Sequence, residues 1–250
     1  VVPDLQDDLD LALIPADIGP VLRGAGDPGQ GEGSDHGKGQ EQSGTGHRAA
    51  AYRRRVRHDP AVDFTTIDLP GLLLDTESAV AMKAHGSREA AVLIPIRNWP
   101  EAPRLILTER RADLRKHAGE ISFPGGTSEP GDRDLEETAL RESHEEIDLH
   151  PDQVEVIGAV PPVGTFATSF RIQPIVGLVA EEAKVVANPD EVATILTFGF
   201  DELLDSYGMR RLVRRGVPIR TPTFEMDRHL IWGATARILT DFFHRIGAMK

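Results

Sequence analysis

Residues 125–149 read GGTSEPGDRDLEETALRESHEEIDL, and the second half of this stretch decides how the chain folds. Glu142, Glu145 and Glu146 are spaced i, i+3, i+4, so on a helix over residues 134–147 they share one face. Leu140, Ser143 and Ile147 fall on a different face and can pack inward, and the small Ser143 permits close approach to a sheet. Asp132 or Asp134 supplies the N-cap. Stacked like charges disfavour a helix unless a cation sits among them, and three hard oxygen donors on one rigid face suit Mg²⁺ or Mn²⁺. A solvated surface helix would show the same letters, with Arg141 paired to Glu137 four residues earlier. The Gly125-Gly126 pair upstream favours chemistry: a glycine turn lets backbone approach a phosphate or a metal.

Working outward, residues 90–96 (AAVLIPI) form a short continuous apolar run and are expected as a buried strand. Residues 104–108 (RLILT) give a second strand, with Trp99-Pro100 at the turn between them. Strands are expected at 154–160, 171–179 and 192–200, a short helix at 201–207, and a hairpin at 208–223 coated by Arg210, Arg211, Arg214 and Arg215. A terminal amphipathic helix over 233–246 places Ala236, Leu239, Phe243 and Ile246 at helical spacing. Strands and helices in this mixed order predict an α/β layered fold over residues 66–250.

Residues 1–65 read differently. Residues 24–46 are Gly, Gln, Ser, Asp and Glu without hydrophobic periodicity, too polar to offset the entropy of ordering. A short helix is possible at 10–22, and Arg53, Arg54, Arg55 and Arg57 mark a solvated basic linker. The first 65 residues are therefore expected to be a disordered or loosely structured tail.

The formal net charge of −12 argues against a nucleic-acid partner. It would also repel an anionic small molecule unless a metal ion and arginines reverse the local field. No stretch approaches the ~18 apolar residues of a membrane span. The chain has no cysteine, which excludes disulfides and thiol nucleophiles and fits a reducing cytoplasm. Residues 1–10 are acidic and lack the basic start of a secretory signal, so a cytoplasmic protein is expected.

Residues 126–149 resemble the Nudix box: Gly, five residues, Glu, seven residues, then Arg-Glu, an apolar residue, any residue, Glu-Glu, any residue, Gly and an apolar residue. The match runs through Arg141, Glu142, Glu145, Glu146 and Leu149. Gly126 to Arg141 is one residue longer than the standard spacing, so Asp132 or Asp134 must serve as the early acid. Ser143 stands where the family has an apolar residue, and Asp148 where it has glycine. Upstream, residues 106–126 (ILTERRADLRKHAGEISFPGG) resemble the signature of the coenzyme A pyrophosphatase subfamily. Leu107, Thr108, Arg110, Arg115, Gly119, Phe123, Pro124, Gly125 and Gly126 are in register with it, and the longer box belongs to the same subfamily. The likeness extends over roughly residues 88–247 and leaves the tail uncovered.

The resemblance implies a Nudix fold, a mixed β-sheet sandwiched between helices. It implies Mg²⁺- or Mn²⁺-dependent cleavage of coenzyme A or acyl-CoA, a small-molecule substrate, at the pyrophosphate. Glu142, Glu145 and Glu146 are the expected metal ligands. The base is Glu145 or an acid on another loop, with Glu191 the candidate, and Glu142 belongs to the catalytic set. Arg110, Arg115 and Lys116 are candidates for phosphate contacts alongside the Gly125-Gly126 backbone, and His117 for a buttress of the glycine loop. Arg141 and Glu137 are expected in structural roles. Two other functions fit less of the sequence: hydrolysis of another nucleoside diphosphate such as ADP-ribose, and nucleotide binding without catalysis.

Overall fold

The structure, a computed structural model, describes residues 62–113, 119–165, 168–214, 217–226 and 228–249. Arg115, Lys116, His117, Arg215 and the chain before Val62 lie outside the described residues, and so do the expectations attached to them.

Two short helices, α1 (Leu69–Leu72) and α2 (Thr76–Ala81), precede the sheet, capped by the side chains of Asp68 and Asp75. The strands β1 (Arg88–Arg97), β2 (Arg104–Arg110), β3 (Ile121–Ser122) and β4 (Gly125–Thr127) lead into helix α3 (Leu135–Ile147). Then come β5 (Val154–Ala159), β6 (Val163–Gly164), β7 (Phe170–Val179) and β8 (Val192–Gly199), followed by α4 (Phe200–Ser206). The chain ends with β9 (Tyr207–Arg214), β10 (Val217–Met226), β11 (His229–Ile231) and α5 (Gly233–Arg245). The first eight strands form one mixed sheet in the order β3-β2-β1-β7-β5, with β4 on β1, β6 on β7 and β8 on β2. Strand β1 runs parallel to β7 from Arg88↔Phe170 to Ile96↔Leu178, and the other pairings in this sheet are antiparallel. Strands β9, β10 and β11 form a separate antiparallel sheet.

The apolar run in β1 follows from burial on both faces. Ala91 and Leu93 face α3 in a core with Ile106, Ala139, Ile147 and Ile175. Ile94 and Ile96 face the opposite way, into a larger core with Leu105, Phe198, Phe200 and Phe242. Successive side chains of β2 divide in the same manner, Ile106 to one side and Leu105 and Leu107 to the other. Each fully buried Leu or Ile side chain here contributes about 1.5–3 kcal/mol by leaving water. Phe200 anchors the second core: its ring meets Phe64, Phe242 and Phe243 edge-on at 5.3–5.8 Å between centroids. The expected helix at 201–207 starts one residue earlier, because Phe200 is the first residue of α4. The expected hairpin at 208–223 is longer, spanning Tyr207–Arg214 and Val217–Met226. Among the described residues no helix is long and apolar enough to cross a membrane.

Candidate active site

Helix α3 positions the carboxylates. Its N-cap is Asp134, whose Oδ1 accepts from the Glu137 amide at 2.8 Å. It ends at Asp148, which adopts φ 53° and donates its amide to the His144 carbonyl at 2.9 Å. That left-handed C-cap accounts for glycine at this position in the motif, and an aspartate tolerates the same region at modest cost. Ser143 is fully buried on the sheet side, as its size suggested, with its hydroxyl donated to the Ala139 carbonyl at 2.7 Å.

Gly125 and Gly126 sit in strand β4, paired antiparallel with Val92 and Ala91 of β1, rather than in the turn expected from sequence. The reason is close approach. Gly125 has φ 152°, and a Cβ there would lie 2.4 Å from the Ala91 carbonyl oxygen. A Cβ on Gly126 would lie 2.4–2.5 Å from the carboxylate of Glu142. The glycine pair therefore lets β4 pack between β1 and the acidic face of α3. The Gly125 amide also donates to Oε2 of Glu146 at 3.3 Å.

The upstream motif builds the neighbouring wall. Strands β2 and β3 pair, and backbone bonds from Arg110 to Glu120 (3.0 Å) and from Gly119 to Arg110 (3.1 Å) continue that pairing. Gly119 has φ 70°, and Phe123 is buried beneath. The register of β2 against β8 shifts between Glu109 and Arg110, an irregularity of the kind that re-aims a side chain. Arg110 reaches Oε1 of Glu146 with Nη1 at 3.2 Å and Oε2 of Glu191 with Nη2 at 3.7 Å. Glu191 is brought there by the turn before β8, where the Asn188 amide bonds the Glu146 carbonyl at 2.9 Å and the Glu191 carbonyl accepts from the Arg111 amide at 3.1 Å.

Arg141 does not pair with Glu137. Its Nε donates to Oδ1 of Asp132 at 2.9 Å, and its Nη atoms reach Glu142, Glu145 and the Thr127 carbonyl at 3.1–3.2 Å. Glu137 instead turns back on Arg133, accepting from its backbone amide at 2.6 Å and its Nε at 2.9 Å. Asp132, whose side chain is nearly fully buried, offers both oxygens to Arg141 and so takes the contact that helical spacing alone assigned to Glu137. Of the two candidate early acids, Asp132 orients Arg141 and Asp134 caps the helix.

The carboxylates differ sharply in environment. Glu146 is 3% exposed, and burial pushes its pKa up to about 7, with Arg110 and the Gly125 amide opposing and Glu191 and Glu142 adding to the rise. Glu142 is also raised, by burial first, with Arg141 pulling it back and Glu145 and Glu191 repelling it. Asp132 is held well below the usual carboxylate range by the hydrogen bond from Arg141, and Arg141 is correspondingly held protonated. Glu145 is half exposed, turned toward Arg141.

Arg110, Glu142, Glu146, Glu191, Gly125 and Gly126 all face a single cavity of about 650 Å³, within the size range of small-molecule sites. Its remaining walls come from elements remote in sequence, including Arg220 on β10 and Trp232, Ala234 and Arg237 at the start of α5. Sequence reading missed Arg220 and Arg237. The first lies on the second strand of a hairpin whose visible basic cluster is on the first, and the second sits among residues read only for their apolar spacing. Arg210 of that cluster pairs with Glu225 on the neighbouring strand. His144 is exposed and meets the ring of His150 edge-on.

Among the described residues, no three acidic or imidazole side chains converge closely enough to hold a metal ion as they stand. The donor chemistry nevertheless fits a hard divalent cation: Glu142 and Glu146 are largely withdrawn from water, face Glu191, and repel one another. Their negative charge is met by Arg110 and Arg141.

Comparison with known proteins gives the same region. The family model described as NUDIX domain matches residues 87–215. A protein of Pectobacterium atrosepticum named "Uncharacterized Nudix hydrolase NudL" is 41% identical over 157 residues, covering 62% of this chain and 81% of that relative. Its namesake in Cronobacter sakazakii is 40% identical over 162 residues, 64% of this chain and 83% of the relative. Among solved structures, a Nudix hydrolase from M. smegmatis, RenU, is 22% identical, covers 53% of this chain and 81% of its own, and has a TM-score of 0.40.

Proposed function

Since the chain belongs to the Nudix hydrolase family, we propose that it cleaves the pyrophosphate bond of coenzyme A or acyl-CoA, releasing 3′,5′-ADP and (acyl-)4′-phosphopantetheine with the help of Mg²⁺ or Mn²⁺. The observation that carries this reading is the convergence of Glu142, Glu146, Glu191 and Arg110 on one cavity, with Glu146 almost completely buried. Family membership supports the reaction class and the need for a divalent metal. The choice of coenzyme A rests on the motif at residues 106–126, whose Arg110, Gly125 and Gly126 line that cavity.

Glu142 and Glu146 would hold the metal, with Glu145 the third candidate ligand. A divalent cation held there would supply positive charge against the diphosphate oxygens and would favour deprotonation of the attacking water. The protein's own residues do the rest. Asp132 fixes Arg141, and Arg141 fixes the Glu142 and Glu145 side chains on either side of it. The Gly125 amide orients Glu146. Glu191 is the preferred base: it faces the cavity beside Glu142 and Glu146, whereas Glu145 is engaged by Arg141 on the outer side of the helix. Arg110, Arg220 and Arg237 supply positive charge to an anionic substrate in a protein of net charge −12. The absence of cysteine suits work in a reducing cytoplasm.

Competition between coenzyme A and ADP-ribose tests the substrate assignment. Coenzyme A should win by about tenfold or more in kcat/KM, a difference of ~1.4 kcal/mol in transition-state binding. Equal use of both substrates would refute the coenzyme A assignment while leaving the pyrophosphohydrolase intact.

A further inference from the structure

We infer that Arg110 is a latch that competes with the divalent cation for Glu146 and, once displaced, hands its guanidinium to the substrate's diphosphate. The inference rests on the reading of Glu142, Glu145 and Glu146 as cation ligands, and it adds a role for a residue outside that set. Three observations carry it. Glu146 is 3% exposed, so its carboxylate needs a compensating cation whenever it is ionised. Its Oε1 accepts from Arg110 at 3.2 Å, and its Oε2 from the Gly125 amide at 3.3 Å. The other arm of the same guanidinium reaches Glu191 at 3.7 Å, so one cation bridges two of the acids that converge on the cavity. A guanidinium on Glu146 and a metal on Glu146 compete, because the two cations would sit a few ångströms apart on one small, poorly hydrated carboxylate and repel each other there.

The local architecture suits exchange. Arg110 is the last residue of β2, paired with Val192 of β8 just past the register shift that follows Glu109. It is partly exposed and lines the cavity, so release from Glu146 leaves it facing the space a diphosphate would fill. Arginine is suited to both partners, since its planar fork fits carboxylate and phosphate oxygens alike. Metal-free protein is thereby protected from an unpaired buried charge, and loading the metal turns a structural cation into a binding one.

The test uses the full chain and two probes, Mn²⁺ alone and methylene diphosphonate. Free Mn²⁺ would be followed by electron paramagnetic resonance at mildly alkaline pH in wild type, Arg110→Gln and Arg110→Lys. With the competitor removed, Arg110→Gln should bind Mn²⁺ about tenfold more tightly, and Arg110→Lys should fall between the two. Metal-free Arg110→Gln should melt below wild type, and saturating Mn²⁺ should close that gap. The Mn²⁺-loaded variant should bind methylene diphosphonate more weakly than loaded wild type. A merely structural role would weaken both ligands, so opposite signs are diagnostic. Unchanged or weaker Mn²⁺ binding overturns the latch, and unchanged diphosphonate binding overturns the hand-over. Neither probe contains a nucleotide, so these outcomes are independent of whether coenzyme A is the substrate.

Discussion

Single residues in this site are constrained by the atoms in direct contact with them. Gly126 has no room for a methyl group because the Glu142 carboxylate occupies that space. Gly126→Ala should therefore fold, since the obstruction is a side chain, but displace Glu142 and lower kcat/KM by about a hundredfold. Circular dichroism alongside kinetics checks both halves. Asp132 makes a second prediction. Its folded pKa lies below its unfolded value, so its stabilisation is complete above roughly pH 4, the unfolded carboxylate value, and is lost as pH falls further through the folded pKa. Asp132→Asn should be less stable than wild type at neutral pH, and the difference should shrink on acidification. A gap in melting temperature that stays constant from pH 7 to about pH 3 would contradict the Asp132–Arg141 pairing. Asp148 shows how a departure from a motif is absorbed: the backbone keeps the left-handed turn, and the residue type changes.

At the scale of elements, the legible parts were those whose burial repeats regularly. Strands β1, β2 and β7 are apolar runs buried on both faces, β8 buries Val192, Leu196 and Phe198 while Ala193, Thr194 and Thr197 stay exposed, and α5 repeats its apolar residues at helical spacing. Strands β3, β4, β6 and β11 are two or three residues long, too short to carry a period, and depend on the long strands they pair with. Helices α1 and α2 are likewise a turn or so each and are announced only by the capping Asp68 and Asp75. Helix α3 was legible in extent, but of the three carboxylates expected on one face only Glu142 and Glu146 line the cavity, while Glu145 turns out to Arg141. The ion pairs of the helix were not legible, because Asp132 reaches Arg141 from a loop that helical spacing ignores. The contact of α3 with the sheet makes a prediction of its own. Ser143 is fully buried and already bonded to its own helix, so Ser143→Leu should overpack the interface and cost about 1–3 kcal/mol. Urea denaturation checks it, and an unchanged midpoint would mean that the interface yields.

For the whole molecule, the cavity is what joins distant parts of the chain. Its acidic wall belongs to α3 and the turn before β8, its glycine wall to β4, and its far wall to β10 and α5. The first two were readable from local motifs. The far wall was not, because only the tertiary fold brings Arg220 of β10 and Arg237 of α5 to the cavity that the carboxylates also line. The apolar side of the same region, Phe224, Phe242 and Phe243, packs into the core around Phe200, so the wall that completes the site is held by the packing that stabilises the fold. Residues 24–46 are too polar to offset the entropy of ordering. Deleting residues 1–50 should therefore leave kcat/KM within about twofold and the melting temperature within about 2 °C. A drop of ten degrees would mean that the deleted stretch packs on the domain. The most direct measurement for the account as a whole is incubation of the purified protein with coenzyme A and Mg²⁺ or Mn²⁺, with products identified by mass. The expected result is stoichiometric 3′,5′-ADP and 4′-phosphopantetheine, abolished by chelator and by Glu146→Gln. Intact coenzyme A, or equal cleavage by Glu146→Gln, would contradict it.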